Sequence, residues 1–125
     1  MIAVALFILV AVSSGQAPTK AVEIIPQARP VAVWLKAVKD GNQEQLKSVF
    51  SETMRRKFDD EGWDKVMSVY QELFRKEFGE YRDEDFSFQF KGDENMGTVS
   101  IVYRGKTLPG LQVIRENNEW KVDER

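Results

Sequence analysis

The side chains in this chain that could perform chemistry are carboxylates, tyrosines and one short basic run. Three consecutive acids at 59–61 are followed by Asp64, and together they could hold a calcium ion. An EF-hand loop, however, alternates its oxygen ligands around a glycine and closes on a bidentate glutamate. Because the cluster lacks that spacing, we interpret it as the solvated N-terminus of a helix, where the helix dipole favours anions.

No histidine and no cysteine occurs in the sequence. Their absence excludes disulfides, thiolate catalysis and cysteine-based zinc sites, and it removes the commonest general base. A pair of carboxylates could still transfer protons if one of them lay in apolar surroundings. By pattern the acids fall on polar helix faces and in turns, so we predict no catalytic residue, no metal site and no cofactor.

The basic run is Arg55-Arg56-Lys57. Consecutive helix residues lie about 100° apart around the axis, so these side chains do not form one flat patch. The chain has 18 basic and 20 acidic residues, which gives a formal net charge of −2. This balance provides no electrostatic footprint for a polyanion, and we expect no nucleic-acid partner.

An unbroken apolar run occupies residues 2–12, and small residues follow it at 13–17. A helix of that length spans about 16 Å, roughly half of the hydrocarbon core of a bilayer. Gly15 and Ala17 suit the −3 and −1 positions of a signal-peptidase site. We therefore predict a signal peptide at 1–17, export to the periplasm or the extracellular space, and no stable membrane anchor after cleavage. A buried N-terminal strand is the alternative, since no lysine or arginine precedes the run.

Three of the four prolines fall within residues 18–30. Proline removes a backbone donor and restricts the residue before it, so we predict an extended lead-in over this segment. The remaining residues, 31–125, are sufficient for a single domain with one core.

Helical periodicity dominates the first half of that domain. An apolar stripe predicts a first helix over 31–40, with Gly41 as its left-handed cap. Asn42 then caps a short second helix, and residues 51–58 add a further helical turn. The third helix has the strongest pattern and ends at Gly79. Its predicted inward residues are Trp63, Val66, Met67, Tyr70, Leu73, Phe74 and Phe78.

From residue 86 onward the apolar period changes to two, which predicts strands. Four short strands are separated by polar turns, and Pro109-Gly110 interrupts the third of them in the manner of a bulge or an edge. Asn117-Asn118 forms a hairpin turn with residues that tolerate positive φ. Helices that precede an antiparallel meander define an α+β fold: three N-terminal helices packed on a curved four-stranded antiparallel sheet.

Aromatic residues are abundant, and their spacing turns most of them inward. Core packing is one interpretation of such residues. In a hollow fold, however, some of them would line a pocket, where tyrosine hydroxyls could orient a ligand. The candidate pocket-lining residues are Trp34, Trp63, Tyr70, Phe88, Tyr103 and Trp120.

Two segments resemble the nuclear-transport-factor-2-like (NTF2-like) superfamily. Residues 34–42, Trp-Leu-Lys-Ala-Val-Lys-Asp-Gly-Asn, are similar to the opening of these domains, and residues 113–122, which end in Glu-Trp-Lys-Val, are similar to their terminal hairpin. The resemblance is closest to small exported bacterial domains of unknown function. It implies a conical α+β fold with a pocket, often dimeric through the sheet. Enzymes of the superfamily, such as ketosteroid isomerases and SnoaL-like cyclases, place Asp, Tyr or His in that pocket, but no segment here matches their catalytic motifs.

Three functions are consistent with these patterns. The favoured one is an exported, non-catalytic NTF2-like domain that binds a small apolar ligand or a protein partner. The second is an isomerase or dehydratase that uses pocket tyrosine and aspartate, and it requires at least one carboxylate inside the cone. The third is a structural module that forms a homodimer through the open face of the sheet.

Overall fold

The structure is a computed structural model that describes residues 24–124. The predicted signal peptide, 1–17, and the part of the predicted lead-in at 18–23 lie outside the described residues. Within 24–124, no helix has the length and apolar character needed to span a bilayer.

Helices precede strands along the chain, which confirms the predicted α+β class. The helical elements are a 3₁₀ turn at Pro26–Ala28, α1 at Arg29–Asp40, α2 at Gln43–Ser48, α3 at Glu52–Glu61, α4 at Trp63–Phe78 and a second 3₁₀ turn at Asp83–Asp85. The strands are β1 at Phe86–Gly92, β2 at Met96–Tyr103, β3 at Lys106–Thr107, β4 at Leu111–Glu116 and β5 at Glu119–Val122.

The α-helices in this part of the chain are four rather than three, because the predicted helical turn at 51–58 is a complete helix. Ser51 caps α3, and its hydroxyl accepts a hydrogen bond from the Met54 amide at 3.2 Å. Gly62, at φ 96°, separates α3 from α4. Asn42 caps α2 as predicted, since its side chain accepts from the Gln45 amide at 3.1 Å.

Helix α4 buries a narrower stripe than the periodicity predicts. Trp63, Val66, Met67 and Phe74 are buried, but Leu73 is 51% exposed. The inward placement of Leu73 is therefore wrong. Leu73 lies about 100° around the helix from Phe74, at the edge of the stripe, on the side where Val69 is also exposed.

The main strands form an antiparallel sheet in the order β1-β2-β4-β5, as the predicted meander requires. The short β3 extends the line of β4 and also pairs with β2. Val102 pairs with Thr107, and Val99 pairs with Leu111. These two pairs are three residues apart on β2 but four residues apart on the segment that contains β3 and β4. The extra residue is the bulge that the Pro109-Gly110 pair predicts.

The sheet is strongly curved, and two glycines permit this curvature. Phe90 on β1 and Trp120 on β5 place their ring centroids 5.6 Å apart. In a flat sheet these strands would lie about 14 Å apart, since three interstrand spacings separate them. The Phe90 ring covers Gly97, where a β-carbon would lie 2.5 Å from Phe90 Cε1, and it also contacts Gly92.

The segment between α2 and α3 joins the helical layer to the edge of β5. The Val122 amide donates to the Val49 carbonyl oxygen at 2.7 Å, and the Ser51 amide donates to the Val122 carbonyl oxygen at 2.9 Å. The Ser51 hydroxyl also donates to the Asp123 carboxylate at 2.5 Å, and both residues are buried. The helices are thereby fixed to one edge of the sheet, and the core lies between the two layers.

Candidate functional site

The C-terminal end of α1 is fixed against α4. Gln71 Nε2 in α4 donates to the Val38 carbonyl oxygen at 3.2 Å. Gly41 ends α1 at φ 67°, where the left-handed backbone favours glycine. Gly79 ends α4, and its amide donates to the Arg75 carbonyl oxygen at 2.9 Å. The chain therefore leaves α4 close to the end of α1.

A cleft of about 690 Å³ lies beside these two helix ends and the start of the sheet. Its volume is in the range typical of sites for small molecules. The lining side chains come from α1, from α4, from the connection at 79–85 and from the turn after β2. They are Val38, Lys39, Gln71, Phe74, Arg75, Gly79, Glu80, Tyr81, Arg82, Asp85 and Arg104.

Tyr81 forms the floor of the cleft. It is 6% exposed, and its hydroxyl donates to the Leu35 carbonyl oxygen at 2.6 Å. The rings of Phe78 and Phe86 meet it edge-on, at centroid distances of 5.5 and 5.4 Å. These contacts hold the ring in place, so the floor is built before any ligand arrives.

The rim of the cleft carries more cations than anions. Lys39, Arg75, Arg82 and Arg104 face two lining carboxylates, Glu80 and Asp85. Arg104 Nη2 lies 3.5 Å from Asp85 Oδ2, and Arg75 pairs with a glutamate on its own helix. Among residues 24–124, neither Lys39 nor Arg82 forms an ion pair.

Asp85 organises the connection that enters β1. Its carboxylate accepts the Arg82 backbone amide at 2.9 Å. This hydrogen bond, with the nearby Arg104 guanidinium, holds the pKa of the Asp85 carboxyl below its usual range. The Arg104 amide in turn donates to the Asp85 carbonyl oxygen at 3.2 Å, which brings the two arginines to the same end of the sheet.

Tyr81 stays protonated at neutral pH. Burial, together with the charges of Asp40 and Asp83, raises the pKa of Tyr81 to about 12. A general base works best with a pKa near the operating pH. The phenol in the cleft floor therefore supplies a structural hydrogen bond to Leu35 and is not suited to accept a proton.

The six residues predicted to line a pocket occupy two separate aromatic clusters and one isolated position. A continuous set of ring contacts runs from Trp63 through Tyr70 to Trp34 and, by way of Phe74 and Phe78, to Tyr103. Trp120 contacts Phe90 in the second cluster. Phe88 packs partly buried against the core. None of the six lines the 690 Å³ cleft, and ligand binding by them stays a prediction.

Two polar groups lie inside the larger aromatic cluster. Trp34 is 7% exposed, and its Nε1 has no hydrogen-bond partner within residues 24–124. Burial is the main cause that raises the pKa of Tyr70 to about 12, with smaller contributions from Glu124 and Glu61. Tyr70 is thus a neutral phenol that can donate a hydrogen bond but cannot serve as a base near neutral pH.

Sequence reasoning missed two features of the site region. It placed every acid on a polar face or in a turn, yet Asp123 is 1% exposed and hydrogen-bonded to Ser51. That expectation is wrong for Asp123, because Ser51, in the segment that pairs with the edge of β5, hydrogen-bonds its carboxylate. Sequence reasoning also missed the basic cleft, whose only local signal is that Arg82 and Arg104 flank strands β1 and β2.

Comparisons of the chain with protein-family models, with curated proteins and with solved structures found no match. No group of side chains within 24–124 has the composition and proximity to hold a metal ion. The fold and the site therefore define the class of the protein as an α+β domain with a basic surface cleft.

Proposed function

We propose that this chain is an exported, non-catalytic binding domain of the NTF2-like kind, and that it takes a small molecule into the cleft above Tyr81. The observation that carries the proposal is a cleft of about 690 Å³ with a fixed aromatic floor and polar side chains around it. Preformed concave sites with a few convergent polar groups are where proteins usually bind small ligands. Export is supported by the apolar run at 2–12 and by the small residues that follow it at 13–17.

A purely apolar ligand inside the fold is less well supported than a ligand in the cleft. Trp34 and Trp63 are only 7% and 9% exposed, and each is enclosed by other rings. An interior ligand would have to displace these contacts, whereas the cleft is already open. The ligand we propose therefore combines a small apolar part with polar groups, and a protein partner remains the alternative occupant.

An isomerase or dehydratase is the second candidate, because Asp123 is a buried carboxylate, although it does not line the cleft. The proton-transfer chemistry lacks support on two counts. The Asp123 carboxylate accepts the Ser51 hydroxyl, which caps a helix, and Tyr70 and Tyr81 have a raised pKa of about 12. Binding without catalysis therefore fits the geometry better.

A homodimer through the sheet is the third candidate and has the weakest support. The outward face of the sheet presents exposed polar side chains, among them Gln89, Thr98 and Gln112. A stable dimer interface usually has an apolar centre. Sedimentation at micromolar concentration that gives a dimer would favour this alternative.

Blocking the cleft tests the proposal. Glu80 lines the cleft and Glu77 does not, although both are exposed acids near the end of α4. We expect Glu80→Trp to abolish the amide shifts that a library of small aromatic and aliphatic molecules causes around Gly79 and Tyr81 in two-dimensional NMR spectra. The matched variant Glu77→Trp should leave them unchanged. No saturable shift in the unmodified protein, or equal binding by both variants, would contradict the proposal.

A further inference from the structure

We infer that the ligand of the cleft carries an oxyanion, a carboxylate or a phosphate, which Arg82 binds with Arg104 as a second arm. This inference rests on the proposed function and specifies the chemical class of its ligand. The whole chain has a formal net charge of −2. The cleft lining reverses that sign, since it contains four cations and two carboxylates.

The cations of the cleft are not equivalent. Lys39 and Arg75 lie in the last turns of α1 and α4, where positive side chains offset the negative end of the helix dipole. Lys39 Nζ also lies 5.7 Å from the centre of the Tyr81 ring. Their positions are explained by the helices themselves, so they do not identify a ligand.

Arg82 lies outside the α-helices and has no such explanation, whereas Arg104 is partly explained by its guanidinium lying 5.2 Å from the centre of the Tyr103 ring. Arg82 forms no ion pair within 24–124 and is therefore the main arm of the site. The Arg104 guanidinium lies 3.5 Å from the Asp85 carboxylate, and the arginine side chain is 62% exposed although that of Asp85 is only 14% exposed. Arg104 therefore keeps solvent-facing N–H groups that a ligand could reach while the contact with Asp85 is retained. A guanidinium fork binds the two oxygens of a carboxylate or phosphate in parallel.

The neighbouring acids neutralise Arg104 more than Arg82, because Asp85 pairs with the Arg104 guanidinium at 3.5 Å. Asp85 accepts the Arg82 backbone amide, which holds its carboxylate at the entry to β1. Asp40 pairs with Lys36 at 3.2 Å in an exposed contact within α1. Among the described residues beside the cleft, Asp83 and Glu80 are acids that form no ion pair. They would repel an approaching anion that made no contact with the arginines.

Three probes separate the charge of the ligand from its shape. Benzoate, phenyl phosphate and the neutral benzyl alcohol share one ring and differ in the group attached to it. We expect the two anions to give saturable NMR shifts at Gly79–Arg82. Benzyl alcohol should bind about tenfold more weakly, because one charge-assisted hydrogen bond contributes about that factor to affinity. The anion that binds more tightly identifies a carboxylate or a phosphate as the natural group. Added salt should weaken the binding of both anions.

A matched pair of variants assigns the binding to Arg82. Arg82→Gln should weaken binding of the preferred anion about tenfold and leave binding of benzyl alcohol unchanged. Arg29 is an exposed arginine outside the cleft, so Arg29→Gln should change the binding of neither probe. Equal binding of anions and benzyl alcohol, or no effect of Arg82→Gln, would refute the oxyanion inference while the binding function stands. Absence of binding by all three probes, together with an empty library screen, would refute both.

Discussion

Replacing Ser51 by alanine tests the contact that ties the helices to the last strand. The Ser51 hydroxyl accepts the Met54 amide at 3.2 Å and donates to the Asp123 carboxylate at 2.5 Å. Ser51 is fully buried and Asp123 nearly so. The substitution therefore removes a helix cap and also removes a hydrogen-bond donor from a buried carboxylate.

The two losses can be estimated separately. An N-cap contributes about 1 kcal/mol to stability. A hydrogen bond to a charged group contributes about 1.5–3 kcal/mol, and the cost is larger when the remaining partner is buried. We therefore expect Ser51→Ala to lower the free energy of unfolding by about 2–4 kcal/mol, out of about 5–15 kcal/mol for a typical domain.

Urea unfolding followed by tryptophan fluorescence measures this loss. With a slope of about 1.5 kcal/mol/M, the midpoint should fall by roughly 2 M. Asn42→Ala is the matched control, because Asn42 caps α2 through the Gln45 amide in an exposed position and has no partner in the sheet. The control should lose only the cap, about 1 kcal/mol. Equal midpoints for the two variants would refute the argument that the contact with Asp123 adds stability.

Two further predictions concern the curved sheet and the buried phenols. Gly97→Ala would place a β-carbon 2.5 Å from Phe90 Cε1. We therefore expect it to lower the free energy of unfolding in urea by about 1–3 kcal/mol. Thr98→Ala, at the exposed neighbouring residue, should lower it by less than about 0.5 kcal/mol. Equal losses would contradict the tight contact. Because the folded pKa of Tyr70 is about 12 against an ordinary value of 10.0, its contribution to stability is complete below pH 10 and is lost as the pH rises toward 12. Absorbance titration should show two late ionisations, from Tyr70 and Tyr81, and Tyr70→Phe should leave only one of them. A normal titration of all tyrosines would contradict the prediction.

Local features of the fold were predictable because they depend on neighbouring residues. Asn42 caps its helix and Gly41 takes the left-handed conformation, as their side chains dictate. Asn117 and Asn118 have φ of 53° and 67° in the hairpin turn. Alternating burial at Phe86, Phe88 and Phe90 follows from the pleat of a strand.

The environment of single side chains was not predictable in the same way. The helical period places Leu73 near the buried stripe of α4, but the folded chain leaves it 51% exposed. Asp123 follows a strand, which predicts a solvated position, yet it is 1% exposed and accepts a hydrogen bond from Ser51, 72 residues earlier in the chain. For Asp123 the deciding neighbour is distant along the chain, so periodicity carries no information about it.

The sequence by itself determined the order of the elements, their caps and turns, and the aromatic character of the core, because these follow from short-range periodicity and turn chemistry. Only the tertiary structure decided where a ligand could enter. The cleft depends on helix ends and turns that meet after folding, and both Arg82 and Arg104 line it although they are 22 residues apart in the chain. The aromatic residues at first expected to line a pocket instead pack largely on one another, since burying rings in the core lowers the free energy more than lining an open cleft.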